Sequence, residues 1–296
     1  MDQPTSYIRS SHTLDRIVIE IQDGTSLSLI DVGSGPALII LPGWSQTVSA
    51  WEEQIAHLSK RNRVIALDHR GHGESGEPGH GYRVSRLAAD LKEVLEALDL
   101  DTVTFLAHSM GCSIVWSYLE LYGSSQVSRL ILADQSVTLT ATNASDPYQR
   151  LETGGVFTFD QLGRLIDDLR SRKGDLATRE TLRSMVSAEL PMRVFEQLVA
   201  DNMLLPRERA AALLTDHAFH DWSDVVRRID KPTLVIGGKQ SVVPWQAMAS
   251  IGTMIPSSRT VIFDGPGSTH FAFLEIAKAF SAAVDEFLDS YPVYPR

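Results

Sequence analysis

The sequence predicts an α/β fold: a mostly parallel central sheet that opens with an N-terminal hairpin and carries an inserted helical lid. Three observations lead there. Short apolar runs alternate with helical patterns along most of the 296 residues, as βαβ units do. Two strand patterns near the N-terminus flank a single turn signal, which makes a hairpin. Between residues 138 and 220 the strand patterns stop and only helical periodicity remains.

The elements follow in order. Residues 15–22 alternate in polarity and form the first strand. Asp23-Gly24-Thr25 is a turn, and Leu27 to Val32 is the returning strand. Ala37 to Leu41 is continuously apolar, as in a strand buried on both faces, and ends in Pro42-Gly43-Trp44. A helix spans Trp51 to Leu58, and a buried strand Val64 to Leu67. The loop Asp68-His69-Arg70-Gly71-His72-Gly73-Glu74-Ser75 follows. Arg83 to Leu98 is an amphipathic helix with Leu87, Leu91, Val94, Leu95 and Leu98 on one face. Val103 to Leu106 and Val127 to Ala133 are further buried strands, the second ending at Asp134. The expected lid helices are Asp160–Ser171, Thr178–Ala188, Pro191–Asn202 and Pro206–His217. Thr233 to Ile236 returns to the sheet, with a helix near Pro244–Ile251, a last strand Thr260–Phe263 and a closing helix Phe273–Leu288. The expected division is a core of residues 1–137 and 221–296 with a lid of residues 138–220.

Composition bounds the function. Hydrophobic residues make up 43% of the chain and charged residues 22%, which is ordinary for a globular protein. A formal charge of −10 argues against nucleic acid or an anionic membrane as partner. A single cysteine, Cys112, excludes an intramolecular disulfide and a cysteine-based metal site. There is no run of eighteen apolar residues for a membrane span. The N-terminal Met1 to Ser6 lacks a basic-then-apolar signal, so a cytoplasmic protein is expected. Asn143-Ala144-Ser145 matches a glycosylation sequon, which carries no meaning in that compartment. The nine histidines have no paired carboxylates or cysteines at ligand spacing, so no metal is expected.

The stretch around Ser109 carries the chemistry. Val103 to Leu106 stops at Ala107-His108-Ser109-Met110-Gly111, and a helical pattern with Ile114, Val115, Tyr118 and Leu119 begins at once. Strand, sharp turn with a central serine, then helix is the context of a nucleophile elbow. The turn leaves the serine hydroxyl at a helix N-terminus, where backbone N–H groups and the helix dipole favour developing negative charge. The motif is usually G-x-S-x-G; here Ala107 replaces the first glycine.

Taken with Leu41-Pro42-Gly43-Trp44, the loop Asp68–Ser75 and Gly267-Ser268-Thr269-His270-Phe271, the elbow makes the chain resemble the α/β-hydrolase superfamily over nearly its whole length. It is most similar to the group of small esterases, lactonases and non-haem haloperoxidases. The resemblance implies Ser109 as nucleophile and His270 as its base, because a serine hydroxyl is inert until its proton is taken. It implies an oxyanion hole made by the backbone N–H groups of Met110 and Trp44. His108 resembles the histidine often found beside the elbow and is expected to be a pocket or structural residue. His69 and His72 are expected to shape their loop, and Arg70 to be structural. The acid departs from the family pattern. The loop after Thr233–Ile236 is Gly237 to Pro244 and holds no carboxylate, with Gln240 near the expected place. Asp134 is the alternative, a position from which some superfamily members take the acid; Asp264 stands too close to His270 in sequence. Trp44 and Gln46 are expected in the substrate pocket, with Phe157, Phe159, Met192, Phe195 and Met203 as roof, and an apolar or aromatic substrate follows.

Three functions compete at this stage. The first is a cofactor-free serine hydrolase acting on a small-molecule ester or lactone. The second draws on similarity to the cofactor-free dioxygenases of 3-hydroxy-4-quinolones, in which the histidine deprotonates the substrate; their further histidine shortly after the tryptophan is replaced here by Ser45-Gln46-Thr47. The third is a ligand receptor on the same fold. Oligomeric state is left open by the sequence.

Overall fold

A computed structural model of the chain describes residues 15–141 and 146–293. The sequon at Asn143 and the N-terminal segment Met1–Ser6 lie outside the described residues. Eight strands form one sheet: β1 (Arg16–Glu20), β2 (Ser26–Val32), β3 (Ala37–Leu41), β4 (Arg63–Leu67), β5 (Val103–His108), β6 (Val127–Ala133), β7 (Thr233–Gly238) and β8 (Ser258–Phe263). Their spatial order is β1-β2-β4-β3-β5-β6-β7-β8. β2 pairs antiparallel with both β1 and β4, and every other pairing is parallel. The mostly parallel sheet with an N-terminal hairpin is therefore as the sequence predicts.

Alternate residues along each strand supply the two faces of the sheet. Ile39, Leu41, Phe105 and Leu132 pack beneath α2 (Val84–Ala97) and α3 (Met110–Tyr122). Leu38, Ile40, Leu106 and Ile131 face the other way, against α1 (Glu52–Leu58) and the C-terminal helices. A strand buried on both faces has no polar side to show, which is why β3 and β5 are continuously apolar.

The insertion between β6 and β7 carries α4 (Pro147–Thr153), α5 (Phe159–Arg170), α6 (Gly174–Met185), α7 (Met192–Asn202) and α8 (Arg207–Ala218). It has its own small core, with Leu162, Ile166, Leu169 and Leu214 among its buried members. Two features depart from the expected all-helical block. Thr140–Ala141 pairs in parallel with Phe157–Thr158, strands too short to leave a periodic signature. α4 is an extra helix, opened by Asp146 accepting from the Tyr148 N–H at 2.9 Å and by Pro147 in its first turn. α9 (Ser223–Arg227) and α10 (Trp245–Met254) complete the crossovers to β7 and β8.

The closing helix also differs. It is split into α11 (Ala272–Glu275) and α12 (Ala277–Ser290), with Ile276 between them at φ −123°. The apolar pattern runs on through the break, so periodicity does not register it. The short α11 follows directly on the loop that carries His270. Phe273 on α11 stacks on Trp51 with ring centroids 3.7 Å apart and planes 4° from parallel. Both rings are fully buried. Phe273→Ala is expected to lower stability by about 3–5 kcal/mol through the cavity it leaves; urea unfolding of the variant beside the parent measures it.

Candidate active site

The elbow forms as a strained turn between β5 and α3. Ser109 takes φ 53° and ψ −128°, a conformation that a non-glycine residue adopts only when its surroundings impose it. Those surroundings are close-packed. The Ser109 N–H donates to the Ala133 carbonyl at 2.9 Å, and the Cys112 N–H to the Ser109 carbonyl at 2.8 Å. A Cβ on Gly111 would sit 2.2 Å from the Leu41 carbonyl oxygen, so only glycine fits there. Ala107 is fully buried in β5 and fits without a glycine. Burial pushes the Cys112 thiol up, away from the reactive thiolate.

His270 reaches the site from the loop after β8, and Asp134 from the end of β6. His270 Nδ1 donates to Asp134 Oδ2 at 2.6 Å, and both side chains are buried. Asp134 also holds a positive φ, 53°, which turns its carboxylate out of the strand. The same Oδ2 accepts from the Ser241 hydroxyl. Ser241 lies in the carboxylate-free loop after β7, so that loop supports the acid with a hydroxyl. Sequence reasoning passed over Ser241; the only signal was a serine in a loop where a carboxylate was sought. Gln240 is exposed and contributes its backbone N–H to the Ser268 carbonyl. Asp264 is exposed and pairs with Lys239 at 2.6 Å. Ser109 and His270 line one cavity. Among the described residues no hydrogen bond joins their side chains, and such bonds are often long in unliganded sites.

The Pro42–Gln46 loop is fixed from below by the Asp68–Ser75 loop. His69 Nε2 donates to the Pro42 carbonyl at 3.0 Å. His72 donates from Nδ1 to the Arg70 carbonyl at 2.9 Å and accepts the Ser45 N–H on Nε2 at 3.2 Å. Gln46 Oε1 accepts the Gly43 N–H at 3.2 Å. Arg70 forms a two-pronged pair with Asp90 at 2.6 and 2.5 Å and lies fully buried. A Cβ on Gly43 would meet the Ser109 Cβ at 2.9 Å, so a side chain there would press on the elbow. The N–H groups of Trp44 and Met110 are unused by any hydrogen bond among the described residues. For Met110 this follows from its place as the first residue of α3.

The cavity above Ser109 offers about 610 Å³ of empty space, part of it open to solvent, and its lining is mainly apolar. Trp44, Gln46 and Phe157 line it. The Trp44 indole N–H donates to the Ala210 carbonyl of α8 at 2.8 Å, tying the loop to the insertion. Other expected pocket residues lie elsewhere. His108 is buried beneath the site, donating from Nε2 to the His270 carbonyl at 2.8 Å, with Nδ1 3.2 Å from the Gln46 amide. Phe159 is half exposed and packs on Phe219, because α5 turns that position outward. Met192 points to solvent from the first turn of α7. Phe195 is buried beneath Arg179 and Arg183 in the cluster on the α1 side of the sheet, and Met203 lies outside the cavity wall. His217, which no motif singles out, lines the cavity from α8. A signal was present: with Ala210, Leu213 and Leu214 it shares the buried stripe of that helix.

These features have a family. A sequence model described as the alpha/beta hydrolase fold matches residues 36–276, and the chain belongs to that family. A non-heme haloperoxidase from Rhodococcus erythropolis is 28% identical over 277 residues, covering 92% of this chain and 99% of the relative. An esterase structure from Exiguobacterium antarcticum superimposes with a TM-score of 0.83 at 28% identity, covering 92% of this chain and 98% of its own. A bromoperoxidase from Bacillus anthracis, at 22% identity and a TM-score of 0.84 over 93% of this chain and all of its own, shares the fold. No helix among the described residues is long and apolar enough to cross a membrane.

Four imidazoles in and under the site are held neutral. Burial lowers His69 and lowers His108 well below its ordinary value, the latter helped by the neighbouring His270. Burial takes His72 and His217 down to about 3. As pH falls below about 6.5 the unfolded chain takes up these protons before the folded protein does. The stability these residues contribute is therefore present above pH 6.5 and lost below it. Unfolding free energy is expected to fall between pH 7 and pH 5, by up to about 1.4 kcal/mol per pH unit for each imidazole. Urea titrations at pH 7, 6 and 5 measure the slope; a flat profile would contradict this account.

Proposed function

We propose that the protein is a serine hydrolase that cleaves a small apolar or aromatic ester or lactone through an acyl-enzyme, with no cofactor. The observation that carries this reading is the buried Asp134–His270 hydrogen bond at 2.6 Å, beside a serine on a strained elbow. With Nδ1 donating to Asp134, His270 is fixed in the tautomer whose Nε2 accepts a proton. In the proposed reaction Nε2 takes the Ser109 proton as Oγ attacks the carbonyl carbon. The oxyanion forms against the Met110 and Trp44 N–H groups. His270 returns the proton to the leaving oxygen, and the acyl group stays on Ser109. Water, deprotonated by His270, then attacks the acyl carbonyl, and His270 gives that proton to the departing Ser109 Oγ as the acid is released. Asp134 stabilises the imidazolium in both halves. The mainly apolar wall with Trp44 and Phe157 supports an apolar substrate. The esterase relative and the enol-lactonase structure from Burkholderia xenovorans LB400 are in keeping with ester or lactone chemistry.

The unjoined Ser109 and His270 side chains favour one second reading, a cofactor-free dioxygenase in which His270 deprotonates a 3-hydroxy-4-quinolone. The stretch Ser45-Gln46-Thr47, which lacks the further histidine that group carries shortly after the tryptophan, weighs against it.

Exposure to a fluorophosphonate followed by intact-mass measurement separates the two. One adduct on the parent and none on Ser109→Ala is the expected result. No adduct on folded protein would sink the hydrolase reading, and oxygen uptake with a hydroxyquinolone would then be measured. Asp134→Asn is expected to lower kcat for ester hydrolysis by about 10³–10⁴-fold while the variant stays folded. A loss below tenfold would remove Asp134 from the triad.

A further inference from the structure

The cavity wall contributed by the insertion is apolar except for a few groups, and most of those are already engaged. Thr181 gives its hydroxyl to the Ala177 carbonyl at 2.7 Å. The Asn202 side-chain oxygen faces Arg207. Trp44, reaching up from the core, has its indole N–H on Ala210. His217 is different. It is 3% exposed, it lines the cavity, and its Nδ1 is buried with no hydrogen-bond partner. The adjacent carboxylate does not serve it, because Asp216 Oδ2 accepts the Val84 N–H at 2.8 Å and faces His220 at 3.3 Å.

A buried polar nitrogen without a partner destabilises a folded protein, and a leucine would fill such a wall at lower free energy. The arrangement makes sense if the partner arrives with the substrate. We infer that His217 is a specificity-determining residue that hydrogen-bonds an uncharged oxygen, a ketone or hydroxyl, carried by the substrate away from its scissile carbonyl. The substrate class is thereby narrowed to apolar esters or lactones with one such oxygen. A carboxylate in that place is disfavoured. Burial holds the imidazole neutral, so it brings no compensating charge. Arg207, a part-buried cation at the start of α8, donates to the carbonyls of Asn202 and Leu205 and to the hydroxyls of Ser45 and Thr178.

The inference rests on the hydrolase reading for which carbonyl reacts, and its test separates the two. The probes are p-nitrophenyl hexanoate, its 4-oxo and 5-oxo derivatives, and p-nitrophenyl hydrogen adipate. The parent enzyme is expected to prefer at least one oxo ester over hexanoate by about tenfold in kcat/KM and to disfavour the adipate. In His217→Leu the ratio of oxo-ester to hexanoate kcat/KM, both read on the same variant, should fall to about one. His217→Gln, which keeps a hydrogen-bonding group, should restore part of the preference. If His217→Leu does not fold, the shape-conserving His217→Phe takes its place. No oxo preference in the parent, or a preference that survives loss of the imidazole, overturns the inference. If no ester is turned over, fluorophosphonate labelling decides the hydrolase reading and the comparison moves to binding. Titration calorimetry of Ser109→Ala with the p-nitroanilides of the same acids, with and without His217→Leu, then gives the same two outcomes as ratios of Kd.

Discussion

Everything at the site depends on how closely β3, β5 and α3 approach one another. Gly111 lies so near the Leu41 carbonyl that no side chain fits between them. That approach holds Ser109 in its strained conformation and leaves the first N–H groups of α3 without intrahelical partners. The Pro42–Gln46 loop then has one course open to it, over the elbow, and Gly43 lets it pass within contact of Ser109. The histidines of the Asp68–Ser75 loop fasten it there from below. The sheet faces supply the rigidity: β3 and β5 are buried on both sides, so neither strand can relax to relieve the turn.

Much of this was legible in the sequence because it rests on periodicity and on short-range stereochemistry. Buried strands announce themselves as apolar runs. The elbow announces itself as a small-residue turn between a strand and a helix. The departure at the acid was also legible, since a loop without any carboxylate cannot supply one, and the structure places Asp134 against His270. What escaped the sequence depends on long-range register. Whether Phe157 or Phe159 faces the cavity is decided by a two-residue strand and the first turn of α5, where no period is established. Of the two roles open to His108, pocket or structural, the structure shows the second, its ring buried against the His270 carbonyl. Ser241 could not be singled out because its partner lies 107 residues away.

The insertion and the core are joined by polar contacts made through the catalytic-side loops. Trp44 donates to α8, and Arg207 at the start of α8 reaches the Ser45 hydroxyl. On the far side, Glu275 accepts from the Ser187 N–H and from Thr269, the residue before His270. Two of the segments that shape the site are therefore held partly by the helices that roof it. The apolar cavity between them has polar groups at the core end, around Ser109 and His270, and at His217 on the roof.

The place of Asp134 at the end of β6 fixes its relation to Ser109. His108 is in register with Ala133, so Ser109 and Asp134 are the next residues along two adjacent, hydrogen-bonded strands. Their separation is set by the spacing of the sheet itself, the stiffest distance a protein offers. The loop after β7 contributes the Ser241 hydroxyl to Asp134. The spacing of Asp134 and Ser109 is carried by backbone pairing between β5 and β6, in which the loop after β7 takes no part.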